Sequence, residues 1–404
     1  MRNPFIVGRP IKDSKDFFNR ERELEEIFSG IKNQYNISLV GERKIGKTSL
    51  LNMVCNPGKM KEYGIDSERI LIISIDSSNT EKGSPASVWK YLLALLHDEI
   101  KGGIRKEMSQ KITANEVGFS DIVKALSCIK KDVVLILDEF EAICEGMDID
   151  FFQNLRHLAQ ISQLTYIVST SRDLLTLTAK NKRIVSSPFF NIFFPLFLGL
   201  FQKDQSKKFI KINFKEMNIT EEQVTSILQI CGPHPFFLQL FCTLLFRSLP
   251  REGLDLSSEK GKTCFEEGIE QAEMKFSVSS SNHFEYFWER FDQREKEVLS
   301  AIALKGKMTR FENVLKDMER RGFLMKDNGK YTIFSDAFQN WILEHVEKKE
   351  ERIPFIIIMA VLTFSISLVL FFSMLKPSVS GILPIVFIIV FIIGLFYLLR
   401  RGSE

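Results

Sequence analysis

The sequence predicts an α/β fold organised around a parallel sheet, and three features of the chain lead to that prediction. The first is a glycine-rich loop between an apolar segment and a helical one. The second is a fully apolar segment that ends in two acidic residues. The third is a series of further short apolar segments separated by helical ones, which is typical of a sheet whose parallel strands are connected by helices.

The glycine-rich loop spans residues 41–48 and has the sequence GERKIGKT. Apolar residues 37–40 precede it and helical residues 49–54 follow it, which is the strand–loop–helix context of a P-loop. Its glycines let backbone N–H groups turn toward phosphate oxygens, and the helix N-terminus adds a partial positive charge. Lys47 can reach the β- and γ-phosphates, and the Thr48 hydroxyl can ligate Mg²⁺. We therefore expect a nucleoside triphosphate site formed by Gly41, Glu42, Arg43, Lys44, Ile45, Gly46, Lys47, Thr48 and Ser49.

The apolar segment, residues 133–137, indicates a strand that is buried on both faces of a parallel sheet. Asp138 and Glu139 follow it directly. Because α/β proteins bind ligands at the carboxyl ends of their strands, both acids should face the same crevice as the loop. We expect Asp138 to hold Mg²⁺, directly or through a water molecule, and Glu139 to polarise the attacking water. The alternative is a strand that merely ends in solvated acids.

Two more segments, residues 70–75 and 164–168, predict strands of the same sheet. The second ends in the polar sequence STSR, whose groups could sense the γ-phosphate or the attacking water, or could simply be a solvated strand exit. A phenylalanine-rich segment at 188–201, interrupted by Pro195, predicts a final core strand.

Length and composition set the frame for these motifs. A chain of 404 residues predicts two or three domains. The 54 basic and 51 acidic side chains nearly balance, so the net charge does not point to a nucleic-acid partner. The six cysteines are scattered without a CxxC pair, which is typical of buried thiols in a reducing compartment.

Two uncharged segments near the C-terminus, residues 355–375 and 382–399, are long enough for a hydrocarbon core of roughly 30 Å. Basic residues flank the pair on its outer sides, whereas the short turn between them has only Lys376. The positive-inside rule then predicts a two-pass plasma-membrane protein with its N-terminal domains and its C-terminus in the cytoplasm, and the lipid bilayer as a partner. A buried helical hairpin is the alternative.

The second half of the chain is predicted to be helical, with helices at 218–231, 235–249 and 257–276. The sequence GPHP at 232–235 interrupts it and favours at least a helix–helix turn. Helices at 293–304 and 308–321, followed by a hairpin at 322–333, predict a winged helix.

The sequences FFNRERELEEI, GERKIGKTS, LILDEFE, STSR, CGPHPFFLQ and FSDAFQNWI together resemble the STAND and AAA-like signalling ATPases of bacteria and archaea. These are relatives of the archaeal replication initiators. The resemblance implies a parallel sheet of strand order 5-1-4-3-2, a helical lid and a winged helix. It places adenine between the loop at 10–18 and the region of Pro235, and His234 or its neighbours toward the phosphates. It also implies a slow ATPase that is closed with ADP and assembles with itself when ATP is bound.

We therefore divide the chain into a P-loop NTPase core at 1–202, a helical lid at 203–283, a winged-helix domain at 284–347 and a transmembrane hairpin at 353–399. The expected function is that of a membrane-anchored, ATP-hydrolysing switch.

Two questions stay open at the level of the sequence. No motif identifies an arginine finger, and Arg156 and Arg172 are candidates only. The alternative function is a membrane-tethered winged-helix regulator that binds DNA under the control of ATP. Residues 284–347 carry similar numbers of basic and acidic side chains, which is not the charge distribution expected of a DNA-binding surface.

Overall fold

The computed structural model describes residues 3–77, 80–101, 103–161, 163–179, 187–250, 253–304 and 311–345. The chain divides into two compact units, residues 1–339 and 340–404. All elements named below belong to the first unit.

The centre of this unit is a five-stranded sheet whose neighbouring strands all run parallel. Its strands are β1 (Asn36–Val40), β2 (Ile70–Asp76), β3 (Asp132–Asp138), β4 (Leu164–Thr170) and β5 (Phe193–Phe197). The order across the sheet is β2-β3-β4-β1-β5. Read from the other edge, this is 5-1-4-3-2, so the predicted strand order is confirmed. Because β1 lies between β4 and β5, the loop that follows it emerges in the middle of the sheet's carboxyl edge.

Helices cover both faces of the sheet. The first half of the chain forms α1 (Glu21–Asn33), α2 (Lys47–Val54), α3 (Pro57–Glu62), α4 (Pro85–Leu96), α5 (Gly103–Ala114), α6 (Phe119–Ser127), α7 (Glu141–Cys144), α8 (Ile149–Ile161) and α9 (Leu174–Ala179). Strand β3 shows why its five central residues, 133–137, are all apolar. Val134 and Ile136 belong to the core beneath α1 and α2, whereas Leu135 and Leu137 belong to the core beneath α4 and α8. Alternate side chains of a strand point to opposite faces, so a strand covered on both sides has no polar face.

Strand β5 differs from the core strand that its phenylalanines predicted. It is an edge strand, and Phe194 is 61% exposed. Pro195 lies within it, and edge strands tolerate proline because one row of their N–H groups faces away from the ladder.

The second half of the chain is helical, as predicted. It forms α10 (Lys203–Asn213), α11 (Glu221–Cys231), α12 (Pro235–Ser248), α13 (Glu259–Arg290), α14 (Gln293–Ala303) and α15 (Glu312–Arg320). Helix α13 has 32 residues and continues well past the predicted end at 276.

After α15, the strands β6 (Leu324–Asp327) and β7 (Lys330–Ile333) pair as an antiparallel hairpin. We call residues 292–334 the helix–hairpin segment. Its order of elements agrees with the expected one, and the assignment as a winged helix stays a prediction.

The predicted fold class requires one correction, which concerns the C-terminus. None of the helices in the described ranges is long and apolar enough to cross a membrane, and even the long helix α13 carries charged side chains along its length. The predicted spans at 355–375 and 382–399 lie outside the described residues. They rested on hydropathy alone, since an uncharged segment of sufficient length was their only support. The transmembrane hairpin is therefore removed from the fold class, and the two-pass membrane localisation and the bilayer partner are withdrawn with it.

Candidate nucleotide site

The loop after β1 depends on its two glycines for different reasons. Gly46 has φ of +106°, a backbone conformation that residues with a side chain rarely adopt. A Cβ atom at Gly41 would lie 2.8 Å from the carbonyl oxygen of Leu198, just after β5. Gly41 therefore allows close packing against the backbone that follows β5, and Gly46 allows the turn into α2.

Lys47, the first residue of α2, folds back over this loop. Its Nζ donates to the carbonyl oxygens of Gly41 at 2.7 Å and Glu42 at 3.3 Å, and the residue is only 6% exposed. Both acceptors are neutral, so these contacts orient the ammonium group without cancelling its charge. A cation held at the mouth of a glycine loop is well placed to meet an anion.

Asp138, at the end of β3, lies directly beside this loop. Its Oδ2 accepts a hydrogen bond of 2.7 Å from the Thr48 hydroxyl, and its Oδ1 accepts one from the hydroxyl of Ser169, at the end of β4. The two residues that the sequence predicted as Mg²⁺ ligands are therefore in contact. A hydroxyl and a carboxylate are hard oxygen ligands, and Mg²⁺ in such sites typically takes one or two protein groups and completes its shell with phosphate and water. The donor set fits this ion.

Glu139 follows in an unusual conformation. Its φ is +53°, and its N–H donates to Oδ1 of Asp138 at 3.1 Å. Burial raises the pKa of its carboxyl group, while the nearby Lys47 lowers it, and the net direction is upward. Left-handed backbone in a residue other than glycine is often retained at functional sites. A partly buried carboxylate with a raised pKa suits a general base.

Lys47, Thr48 and Glu139 open onto one cleft of about 260 Å³, and Asp138 is joined to it through its hydrogen bond with Thr48. The predicted site residues that line it are Arg43, Lys44, Gly46, Lys47, Thr48, Ser49, Glu139 and Pro235. Seven residues outside the predicted set of site residues complete the lining: Ile6, Gly8, Arg9, Pro10, Ile11, Phe236 and Gln239. The resemblance covers Pro10 and Ile11 through the loop at 10–18, and Phe236 and Gln239 through the sequence CGPHPFFLQ, whereas no motif includes Ile6, Gly8 and Arg9.

The N-terminal part of this lining is fastened to the rest at three points. The N–H of Ile11 donates to Oγ of Ser49 at 3.0 Å, and Nδ2 of Asn52 donates to the carbonyl oxygen of Ile11 at 2.9 Å. The N–H of Ile6 donates to Oε1 of Gln239 on α12 at 2.8 Å. The segment therefore bridges the helix of the glycine loop and the helix that begins at Pro235.

Four of the predicted nucleotide-binding residues do not line the cleft. Gly41 packs against Leu198, as described above. Ile45 is fully buried in the core under α1 and α2. Glu42 is also buried, and its carboxylate contacts Arg321. The fourth, His234, lies elsewhere altogether.

The resemblance placed His234 or its neighbours toward the phosphates; His234 does not line the cleft, whereas its neighbour Pro235 does. The ring of His234 is 3% exposed and packs among the rings of Phe237, Phe287 and Phe334. Its Nδ1 accepts the N–H of Phe236 at 3.3 Å, which caps the N-terminus of α12. Gly232, two residues earlier, has φ of +68° and packs against the backbone of Phe334. A Cβ atom at Gly232 would lie 2.1 Å from the carbonyl oxygen of Phe334. GPHP is thus a helix–helix turn packed against the end of the hairpin, and only its last residue reaches the cleft.

The burial of His234 predicts a dependence of stability on pH. Burial, aided by the positive charge of Arg20, lowers its pKa from 6.5 to about 3. The folded state therefore keeps the ring neutral down to about pH 3, whereas in the unfolded state the ring binds a proton below its ordinary pKa of 6.5. Stability is therefore lost as the pH falls from 6.5 toward 3. Between pH 7 and pH 5, this group alone should cost about 2 kcal/mol of unfolding free energy.

Urea unfolding of the parent and of His234→Asn measures this loss. Asparagine retains a capping acceptor and does not titrate, so the variant should lose about 2 kcal/mol less than the parent over the same interval. Equal losses in the two proteins would contradict the neutral, buried state of His234.

The two candidate arginine fingers have different surroundings. Arg172, just after β4, lies with its Nη1 3.4 Å from Oε1 of Glu295 and its Nη2 3.4 Å from the carbonyl oxygen of Arg290. It is thus directed toward the helix–hairpin segment. Arg156 is half-buried on α8. Neither residue lines the cleft.

A parallel sheet of this order, with a glycine loop after β1 and an acidic pair after β3, defines the class of P-loop nucleoside triphosphatases. The family described as an ATPase domain predominantly from Archaea matches residues 17–241, more than half of the chain. The chain belongs to this family of ATPases.

Solved structures show the same fold. The Walker-type ATPase PABY2304 of Pyrococcus abyssi has 17% sequence identity and a TM-score of 0.53, and the match covers 83% of this chain and 98% of that one. The ORC2 protein of Aeropyrum pernix, solved in ADPNP–ADP complexes, has 12% identity and a TM-score of 0.50, with 83% and 96% of the two chains covered. Among curated protein sequences, none matches the chain.

Proposed function

We propose that this protein binds ATP together with Mg²⁺, hydrolyses it slowly, and uses the bound nucleotide as a switch for its own assembly. The observation that carries the proposal is the contact of Asp138 with Thr48, which lines one cleft together with Lys47 and Glu139. Lys47 and Thr48 follow β1, whereas Asp138 ends β3 and Glu139 follows it, and the strand order leaves only β4 between these two strands of the sheet.

Each group has a distinct part in the proposed reaction. The backbone N–H groups of the loop and the ammonium of Lys47 bind the phosphates. For the ammonium, phosphate oxygens then take the place of the carbonyl oxygens that it contacts in this structure. Thr48 and Asp138 hold Mg²⁺, which when bound neutralises charge on the phosphate oxygens. Glu139 orients the attacking water and receives its proton, which its raised pKa favours.

Other residues that line the cleft suit a flat base. Pro10, Pro235 and Phe236 supply apolar surfaces, and Gln239 adds a polar group beside them. Apolar walls with few polar groups are the usual surroundings of a planar ligand. No NKxD-like guanine motif is present in the sequence, so we propose adenine as the base.

Two observations support a switch. The cleft is built from distant parts of the chain, because the N-terminal segment and α12 both line it alongside the glycine loop. Closure of such a site can depend on the nucleotide. The Aeropyrum pernix ORC2 protein, which is similar in fold, is described in ADPNP–ADP complexes. We further propose that the present chain assembles with itself when ATP is bound.

DNA binding by the helix–hairpin segment has less support. Lys316 on α15 pairs with Glu312 at 2.8 Å, and the next basic residue, Arg320, pairs with Asp317 at 2.5 Å. Arg321 is buried. Since each of these basic groups already has an acidic partner, the helix offers little net charge to a phosphate backbone.

Direct titration of the full chain with ATP, ADP and GTP tests the proposal. ATP and ADP should bind, and GTP should bind at least about tenfold more weakly, a difference of about 1.4 kcal/mol. Chelation of Mg²⁺ should weaken ATP binding by about tenfold or more, since the metal offsets charge on the phosphates. Failure of ATP to bind in the presence of Mg²⁺ would refute the proposed function.

A further inference from the structure

The glycine loop contains a buried carboxylate that does not face the cleft. Glu42 is the second residue of the loop and is 6% exposed. Its Oε1 accepts a hydrogen bond of 2.7 Å from Nε of Arg321, which lies 279 residues further along the chain, just after α15. Arg321 is also only 6% exposed. The loop is thus tied through a buried ion pair to the helix–hairpin segment.

This ion pair is part of a larger group that we call the ion-pair cluster, consisting of Glu42, Arg172, Glu295 and Arg321. Nη1 of Arg321 also contacts the carboxylate of Glu295, and it lies 3.2 Å from Oδ2 of the half-buried Asp317 at the rim. Nη1 of Arg172 lies 3.4 Å from Oε1 of Glu295, and its Nε lies 4.0 Å from Oε1 of Glu42. The cluster contains two positive and two negative charges. It joins the glycine loop, the end of β4 and the helix–hairpin segment.

The pKa of Arg321 shows that its acidic partners compensate the cost of burying its positive charge. Burial acts to lower the pKa of its guanidinium, but Glu42 and Glu295 outweigh burial, and the net direction is upward. The positive charge is therefore stable in its buried position. Removing one member of such a pair is costly, because the other charge is then left buried and uncompensated.

A carboxylate is unexpected in a loop that binds a polyanion. Like charges repel across several ångströms of protein, where screening by salt is weak. An uncompensated Glu42 would therefore oppose the phosphates that the loop is built to receive. Arg172, within residues 17–241, lies 4.0 Å from the Glu42 carboxylate, but the closer positive charge, at 2.7 Å, belongs to Arg321, which lies beyond those residues.

We propose that Arg321 is a positioning residue for the nucleotide. It neutralises Glu42 and fixes the glycine loop, so that the docked helix–hairpin segment sets the affinity of the loop for phosphate. This inference rests on the proposed nucleotide binding and names its regulation. By linkage, a bound nucleotide must in turn stabilise the docked position of the helix–hairpin segment. The factor by which the nucleotide favours docking equals the factor by which displacement of the segment weakens nucleotide binding.

Substitutions within the full chain separate charge compensation from simple packing. Arg321→Gln should weaken ATP and ADP binding by about tenfold, because Glu42 loses its closer cationic partner and keeps only Arg172 at 4.0 Å. Arg321→Lys keeps the charge, although it loses the planar fork, and should retain most of the affinity. The double variant Glu42→Gln/Arg321→Gln removes both charges and should return affinity to within about threefold of the parent. Lys316→Gln, on the exposed side of the same segment, serves as the control and should bind like the parent.

Melting temperatures measured without nucleotide test the alternative, in which the ion-pair cluster only stabilises the fold. If the cluster only holds the fold together, Arg321→Gln will lower the melting temperature while the folded protein binds ATP with parental affinity. That result would overturn the inference, and so would failure of the double variant to recover affinity. If the parent itself binds no ATP, the proposed function fails instead, so the two failures are distinguishable.

A second measurement does not require Arg321→Gln to fold. Hydrogen exchange of α15 in the parent should slow when ATP is added, because the nucleotide stabilises the docked segment. In Glu42→Gln at saturating ATP, this additional protection should be lost. If ATP binds to the parent and leaves exchange of α15 unchanged, the coupling does not exist.

Discussion

Lys47→Ala is expected to weaken ATP binding by about tenfold or more, the largest loss of affinity that we expect from a single side chain in this protein. The ammonium of Lys47 is held over the glycine loop by neutral carbonyl oxygens, so its charge is available to the phosphates. Alanine removes that charge and leaves the backbone N–H groups of the loop in place. Titration of the full-length variant with ATP and Mg²⁺ measures the effect.

The control for this variant is Lys61→Ala, which removes an exposed lysine from α3. It changes the net charge by the same amount and should leave the affinity for ATP unchanged. Comparable losses in the two variants would mean that the overall charge of the protein, and not the position of Lys47, determines binding.

Glu139→Gln should separate binding from hydrolysis. Glutamine has nearly the same size but cannot accept the proton of the attacking water, so turnover should fall about 100-fold or more while ATP still binds with near-parental affinity. If ATP drives assembly, this variant should accumulate the assembled form. Glu145→Gln, an exposed acid that pairs with Lys82, is the matched control and should hydrolyse ATP like the parent.

The pH dependence of turnover provides a second check on Glu139. Since burial raises the pKa of its carboxyl group, hydrolysis by the parent should decline as the pH falls toward that raised pKa. The residual rate of Glu139→Gln should lack this decline. Parental turnover in the variant would show that Asp138 and Glu139 are not the catalytic centre, and the protein would then be a binding switch with little ATPase activity.

The elements that could be predicted from the sequence are those whose evidence is local. The glycine loop, the apolar strand β3 and the two acids after it are each contained in fewer than ten consecutive residues, and the structure brings Lys47, Thr48, Asp138 and Glu139 together as their motifs require. The strand order followed from the family resemblance and is confirmed. These features depend on backbone conformation and periodicity, which short patterns encode directly.

The features that the sequence could not provide depend on contacts between distant residues. Nothing near Glu42 indicates that its partner is Arg321, because surface and buried ion pairs have the same residue types. His234 was directed to the phosphates by resemblance, whereas its position is decided by the phenylalanines that surround it. The lining residues Ile6 and Arg9 belong to no motif and are recognisable only once the N-terminal segment is seen to cross the cleft.

The distance along the chain between Glu42 and Arg321 also bears on how the protein is made. A ribosome that adds about 5–20 residues per second completes the β1 region long before it reaches α15. The 279 residues that separate the two partners correspond to roughly 15–55 s of synthesis at that rate. Throughout this interval, the carboxylate of Glu42 must remain hydrated or be partnered elsewhere. The nascent N-terminal domain can therefore form its sheet early, while the loop that binds phosphate reaches its final electrostatic state only near the end of translation.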